Sequence, residues 1–338
     1  MNGLPVILLT GFLGSGKTSL LNRVLRAPGF ENTAVIVNEF GEIGLDHALI
    51  ASATDNVVLL EAGCLCCTIA DSLHETLADL HYRRVRGEVP PFERVVVETT
   101  GLADPAPILN TLLGHKLVTD HYRLALVLAT ADVLHVEDEL RKHREAAKQL
   151  AVADRLVITK CDMAPPGRVD AVRDRLRALN PAAEIVESRD GSGALAAFRP
   201  IDNTKVRTLE SSETHQHAHD VNRHDERVRA HCLVLDKPVS WSGLAAWSRV
   251  IVEALGDRLL RCKGLVEIAD DGTVVFVQGV QRVFHAPQRL GGWPDADHRS
   301  RLVCITRDVE EPELRRTLAA LEIEAGSDPH VSLEAFRS

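Results

Sequence analysis

The sequence predicts an α/β fold with a mostly parallel sheet, followed by a smaller C-terminal α+β domain. Three observations carry that expectation. A glycine-rich loop sits between an apolar strand and a helix, short β-branched runs alternate with helical patterns through the first two hundred residues, and the composition turns polar near residue 201 before regular patterning resumes. Strands are expected at 6–10, 34–38, 57–60, 95–98, 124–129, 156–159 and 184–186. Between them, apolar residues at three- and four-residue intervals predict helices at 17–25, 69–85, 105–113, 133–150 and 168–179. The segment ETHQHAHDVNRHDE has no apolar periodicity and reads as an exposed linker. Beyond it come a strand at 231–235, a helix at 241–255, strands at 259–268, 273–278, 281–286 and 301–306, and a helix at 311–321. The expected division is 1–204 for the first domain, 205–228 for a histidine-containing linker, 229–325 for the second domain and 326–338 for a tail.

Bulk properties narrow the partners. A net charge of -9 with no basic tract argues against nucleic acid or an anionic membrane. No apolar run reaches the roughly 18 residues needed to cross a bilayer, and the N-terminus runs straight into the first strand without a basic leader. Seven cysteines, three of them within four positions, fit metal or redox chemistry in the cytoplasm better than a disulfide framework. Cys161, Cys232, Cys262 and Cys304 are isolated in sequence and read as structural.

Residues 11–18, GFLGSGKT, match the P-loop pattern in the right context, after a strand and opening a helix, which makes the first domain a P-loop NTPase. Gly11, Gly14 and Gly16 let backbone N–H groups converge on phosphate, with Ser15 inside the loop and Ser19 just beyond it. Lys17 neutralises charge on the β- and γ-phosphates, and Thr18 offers a hydroxyl to Mg²⁺. The run VVVETTG at 95–101 reads as the catalytic partner of that loop. Glu98 brings a carboxylate beside the metal, where most P-loop proteins carry Asp, and Gly101 offers an N–H to the γ-phosphate.

Thr159-Lys160-Cys161-Asp162 follows a late strand and is similar to the guanine-reading Asn-Lys-x-Asp motif. A carboxylate at Asp162 can accept from N1–H and the N2 amino group of guanine, a donor pair that adenine lacks. Thr159 in place of Asn puts one supporting contact at stake. Glu187-Ser188, after the next strand, either completes the base pocket or is a plain loop. The nucleotide expected is therefore GTP or GDP.

Gly63-Cys64-Leu65-Cys66-Cys67 lies between a strand and a helix. Three thiolates so close can converge on one tetrahedral soft or borderline metal and leave one position open, which suits transfer better than a fixed structural role. A reversible disulfide between Cys64 and Cys67 is the redox alternative. Glu39 and Glu42 flank the first switch position; Glu39 is a candidate for Mg²⁺ and Glu42 for the thiolate-bound metal, with solvated loop carboxylates as the competing reading. His215, His217 and His219, with His224, are weak auxiliary ligands or simply a hydrophilic linker.

Taken together, GFLGSGKT at 11–18, NEFGE at 38–42, GCLCC at 63–67, VVVETTG at 95–101, TKCD at 159–162 and RCKGLVEI at 261–268 show that the chain resembles the CobW-type GTPases, metallochaperone relatives of the nickel-insertion GTPases. The resemblance spans almost the whole chain. It implies GTP hydrolysis, a divalent metal at the cysteine motif and delivery to a client metalloprotein, the protein itself being a monomer or homodimer. Zinc is the metal most often implied, with cobalt or iron insertion as the alternative within the family. Some relatives carry a further carboxylate where this chain has Val37, so that ligand is absent here. The switch segments expected to respond to GTP·Mg²⁺ are 38–46 and 98–104. Outside the family, the competing functions are a small-molecule kinase and a thiol-redox regulator.

Overall fold

The computed structural model describes residues 3–37, 58–61, 69–189, 193–199 and 228–322. The chain divides into two compact units, the first comprising Met1–Arg177 and Ala183–Ile201, the second Ala178–Ala182 and Asp202–Ser338.

The first unit is a seven-stranded sheet flanked by helices, with β1 (Leu4–Gly11), β2 (Thr33–Val37), β3 (Val58–Glu61), β4 (Arg94–Glu98), β5 (Tyr122–Asp132), β6 (Arg155–Thr159) and β7 (Glu184–Glu187) in the order β3-β2-β4-β1-β5-β6-β7. Every described pairing in it is parallel. Runs such as TAVIV in β2 and RLVIT in β6 are buried throughout, as strands covered on both faces must be. Helix α1 (Lys17–Leu25) sets Leu20, Leu21, Val24 and Leu25 against Ile7, Leu9, Val35 and Val96 of the sheet. The strand order reverses between β1 and β4, so the loops leaving their C-terminal ends part to opposite sides and open a crevice there.

Helix α2 (Ile69–Val85) follows β3, α3 (Ala106–Gly114) and the short α4 (Lys116–Thr119) follow β4, and α7 (Arg168–Leu179) and α8 (Ala194–Ala197) flank β7. The single helix expected over 133–150 is two: α5 (Val136–Lys142) and α6 (Arg144–Ala151), separated by His143 in an extended conformation. The interruption has a physical correlate, since the His143 ring stacks on Phe12 at 4.6 Å between centroids.

The second unit is a six-stranded antiparallel sheet. Strands β8 (Val228–Leu235), β9 (Leu259–Glu267), β10 (Val274–Val280), β11 (Val283–Phe284) and β13 (Ser300–Arg307) follow the order β11-β10-β9-β13-β8, and β12 (Gln288–Arg289) pairs with β10. One face carries α9 (Trp241–Leu255), whose Trp247 packs with Leu244 and Ile251 onto Leu259, Val266 and Val275. Ser240 caps that helix by accepting from the Gly243 N–H at 2.9 Å. Helix α10 (Glu311–Thr317) then tightens into a 3₁₀ turn, and Thr317 accepts the Trp247 indole N–H at 3.1 Å. The strand expected over 281–286 shrinks to Val283–Phe284, because Gln281, with φ of 50°, turns the chain back on β10. Cys262 and Cys304 are not isolated: they face each other across β9 and β13 with sulfurs 3.5 Å apart in the core.

Candidate nucleotide and metal site

The loop from Gly11 to Gly16 is pinned by the protein's own hydrogen bonds. Gly16, with φ of 90°, makes the left-handed turn that lets β1 pass into α1, a conformation that a side chain would strain. Ser15 is fully buried; its hydroxyl donates to the Phe12 carbonyl at 2.7 Å and lies 2.6 Å from the Thr130 hydroxyl on β5. Thr159, at the end of β6, donates to the Ser15 carbonyl at 2.7 Å, so it retains a contact with the P-loop in the place where Asn is usual. The Lys17 ammonium sits on the Gly11 and Phe12 carbonyls at 3.0 and 3.1 Å. Gly14 and Ser19 are exposed.

On the other side of the crevice, Glu98 ends β4 only 4% exposed and accepts the Thr18 hydroxyl at 2.6 Å. The next residue, Thr99, is tied to β1, its N–H to the Leu9 carbonyl and its hydroxyl to that of Thr10, both at 2.9 Å. Two residues on, Gly101 lies flat against the P-loop. A Cβ there would come within 2.6 Å of the Leu13 nitrogen, so only glycine permits this approach.

At the far end, Lys160 adopts φ of 58° and extends its ammonium to Asp132, 2.6 Å away. Burial alone would raise the Asp132 pKa, but hydrogen bonds from Lys160, His135 and the Leu134 N–H outweigh it and hold the carboxylate below its ordinary range. Asp162 is exposed on the 3₁₀ turn Cys161–Met163. The loop after β7 supports that turn through its backbone, with Ser188 N–H on the Ile158 carbonyl and the Cys161 N–H on the Ser188 carbonyl. The Glu187 carboxylate is engaged by Arg173 and Arg189 and so is structural. A cavity of about 430 Å³ opens beside the P-loop, lined by Leu13, Gly14, Asp132, His135, Glu139 and Lys160 among others. Burial, then the charge of Asp132, pushes the Glu139 carboxyl up to about 7.

Glu39, Glu42, Cys64, Cys66, Cys67, His215, His217 and His219 lie outside the described residues, as do the first switch segment, the linker up to residue 227 and the tail. Among the described residues, no cluster of three or more His, Cys, Asp or Glu side chains is arranged to hold a metal. The strands that lead into the 38–42 and 63–67 segments are described, however. In the sheet register Val37, which precedes the 38–42 motif, pairs with Glu98 on one side and Glu61 on the other. The chain thus leaves β3, three residues before Cys64, two strand spacings or about 10 Å from the end of β4.

Sequence reasoning missed Asp132, Thr130 and Gln149. Thr130 and Asp132 are buried polar residues in an apolar run, and Gln149 shares a helical face with the buried Ala146 and Leu150. That pattern is the signal that was available.

A pinned phosphate loop, an acidic strand end bonded to the loop's Thr18, and a Lys-x-Asp turn at the end of β6 together define a P-loop GTPase. The family follows from comparison with known proteins. Residues 5–187 match the CobW/HypB/UreG nucleotide-binding domain, and residues 228–322 match the cobalamin synthesis protein CobW C-terminal domain. The chain belongs to this family. It is 33% identical over 323 residues to the zinc chaperone YjiA of Escherichia coli, covering 95% of this chain and 99% of that protein. It is 26% identical to zinc-regulated GTPase metalloprotein activator 1 of Schizosaccharomyces pombe, covering 84% and 77%. The crystal structure of Zn(II)-bound YjiA GTPase from E. coli superposes with a TM-score of 0.71 at 28% identity, covering 96% of this chain and 100% of that one.

Proposed function

We propose that this chain is a GTP-dependent metallochaperone that binds Zn²⁺ at Cys64, Cys66 and Cys67 and passes it to a client metalloprotein. The observation that carries the reading is the side-by-side register of β3, β2 and β4. The strand that feeds the cysteine motif and the strand that ends in Glu98 open on the same edge of the sheet, with the 38–42 motif issuing between them. Changes at the terminal phosphate then have a short route to the thiolates. The zinc-chaperone and GTPase names of the relatives point the same way.

In this reading the N–H groups of Gly11, Gly14, Ser15 and Gly16 cradle the phosphates, and Lys17 neutralises them. Thr18 and Glu98, two oxygen donors 2.6 Å apart in a shielded crevice, suit a hard cation and would hold Mg²⁺, with Glu39 joining them. That ion supplies charge neutralisation for phosphoryl transfer to water. Gly101 meets the γ-phosphate. Lys160 covers one face of the base and Asp162 reads the guanine edge, while Thr159 and Asp132 hold that turn in place. Glu42 joins the thiolates on zinc. The linker histidines His215, His217 and His219 act as weak secondary ligands. Loss of the γ-phosphate relaxes segments 38–46 and 98–104, loosens the metal site and releases the ion. Cobalt or iron cargo fits the thiolate set less well than zinc.

Zinc titrations of the full chain, with Mg²⁺ fixed and either a non-hydrolysable GTP analogue or GDP present, test the scheme. Zinc should bind at least fivefold more tightly in the GTP-like state, within the usual range of allosteric coupling. Equal affinities in the two states would refute the coupling.

A further inference from the structure

Helix α6 grips two loops that the proposed reaction uses. At its start, His143 stacks on Phe12 of the P-loop. On its buried face, Gln149 has no exposed surface and donates from Nε2 to the carbonyls of Gly101 at 3.1 Å and Ala103 at 3.0 Å. The neighbouring Lys148 pairs with Asp104 at the end of the same loop.

Packing does not explain a carboxamide there. An apolar side chain would suit the face that Ala146 and Leu150 share, whereas a buried amide is tolerated only when its donors are satisfied. Both hydrogens of this one nitrogen go to alternate carbonyls of a single loop, which fixes two peptide planes at once. Thr99 anchors the loop's other end to β1. Gly101, between the anchors, presses against the Leu13 backbone so closely that a Cβ would not fit.

We propose that Gln149 is a positioning residue for GTP hydrolysis. By holding the Gly101 and Ala103 carbonyls, it fixes the backbone that leaves Gly101, and the Ala103 N–H in turn holds the Thr100 carbonyl at 3.2 Å, in the same peptide as the Gly101 N–H that meets the terminal phosphate; the loop so held favours GTP over GDP. It touches neither nucleotide nor metal. This proposal rests on the reading that Gly101 serves the γ-phosphate.

The test is single-turnover GTP hydrolysis, with equilibrium binding of GDP and a non-hydrolysable GTP analogue, on the full chain and its Gln149→Met, Gln149→Asn and Gly101→Ala variants. Gln149→Met keeps the volume and removes the donor. The hydrolysis rate should fall at least about tenfold and analogue affinity severalfold, while GDP affinity stays within about twofold. Asn, one methylene shorter, reaches fewer acceptors and should fall between. A residue that merely stabilises the fold would lower the melting temperature and weaken both nucleotides equally. That result, or a Met variant hydrolysing within twofold of the parent, overturns the proposal. If the Met variant does not fold, the Asn variant is judged by the same criteria. Gly101→Ala separates the two layers. Unimpaired hydrolysis in that variant removes the loop's phosphate role and the proposal with it, whereas an impaired Gly101→Ala beside a normal Gln149→Met overturns only the role of Gln149.

Discussion

Both units bury polar side chains, but they use them differently. In the first unit, Thr10, Glu98, Thr130, Asp132 and Thr159 are all nearly inaccessible and all sit at the C-terminal ends of the four adjacent strands β1, β4, β5 and β6. In the second, the buried polar groups are dispersed. His231 bonds Thr306, Trp247 bonds Thr317, and Arg301, 1% exposed, reaches Asp295 and the carbonyls of Asp297 and Arg299 to hold one loop. A buried polar group marks a stabilised fold when it satisfies a neighbour, and marks a site when several converge on one edge of a sheet.

The sharpest way to break this contrast is Arg301→Met. Removing the buried guanidinium from its pairing with the part-exposed Asp295 and from two carbonyls should destabilise the second unit by about 2–3 kcal/mol. Denaturant unfolding reads that loss, and GDP affinity should stay within twofold. A comparable loss of nucleotide affinity would mean that the two units do not divide the labour as described.

Thr159→Val should show the opposite pattern. It keeps the shape and removes the hydroxyl that the Ser15 carbonyl accepts, so about 1–2 kcal/mol of P-loop organisation is lost and nucleotide affinity falls roughly tenfold. Isothermal titration with GDP checks it. Unchanged affinity would show that the contact between Thr159 and the P-loop is incidental.

The smallest effect is at Glu139. Its carboxyl, at about 7 in the folded chain against an ordinary 4.5, holds its proton more tightly folded than unfolded. Its contribution to stability is therefore complete below pH 4.5 and is lost as pH rises through 7. Glu139→Gln should flatten that stretch of the stability profile and leave the variant about 1 kcal/mol more stable at pH 8, a figure reduced for the partial exposure of the group. Parallel pH profiles for the two proteins would contradict the assignment.

The first unit was the more legible in sequence, for a physical reason. A strand buried on both faces is apolar over most of its length, so β1, β2, β4 and β6 were visible as runs, and the P-loop glycines are imposed by backbone geometry that few other residues allow. Helices α5 and α6 were read as one because helical spacing continues through His143, whose extended backbone goes with a stack on Phe12 that is distant in sequence. Gln149 was missed for the same reason: its partners, Gly101 and Ala103, lie on another element. The cysteine motif reads as metal or redox chemistry from the sequence alone, because three thiols fall within four positions, and it lies outside the described residues.

Linkage makes one measurement decisive. If the nucleotide state sets zinc affinity, zinc must change nucleotide affinity by the same factor. Binding of the GTP analogue and of GDP, measured with and without one equivalent of Zn²⁺ at fixed Mg²⁺, should show zinc strengthening the analogue at least fivefold relative to GDP. A chain carrying Cys64→Ser, Cys66→Ser and Cys67→Ser should lose that difference. An analogue-to-GDP ratio in the parent chain that zinc leaves unchanged would contradict the account.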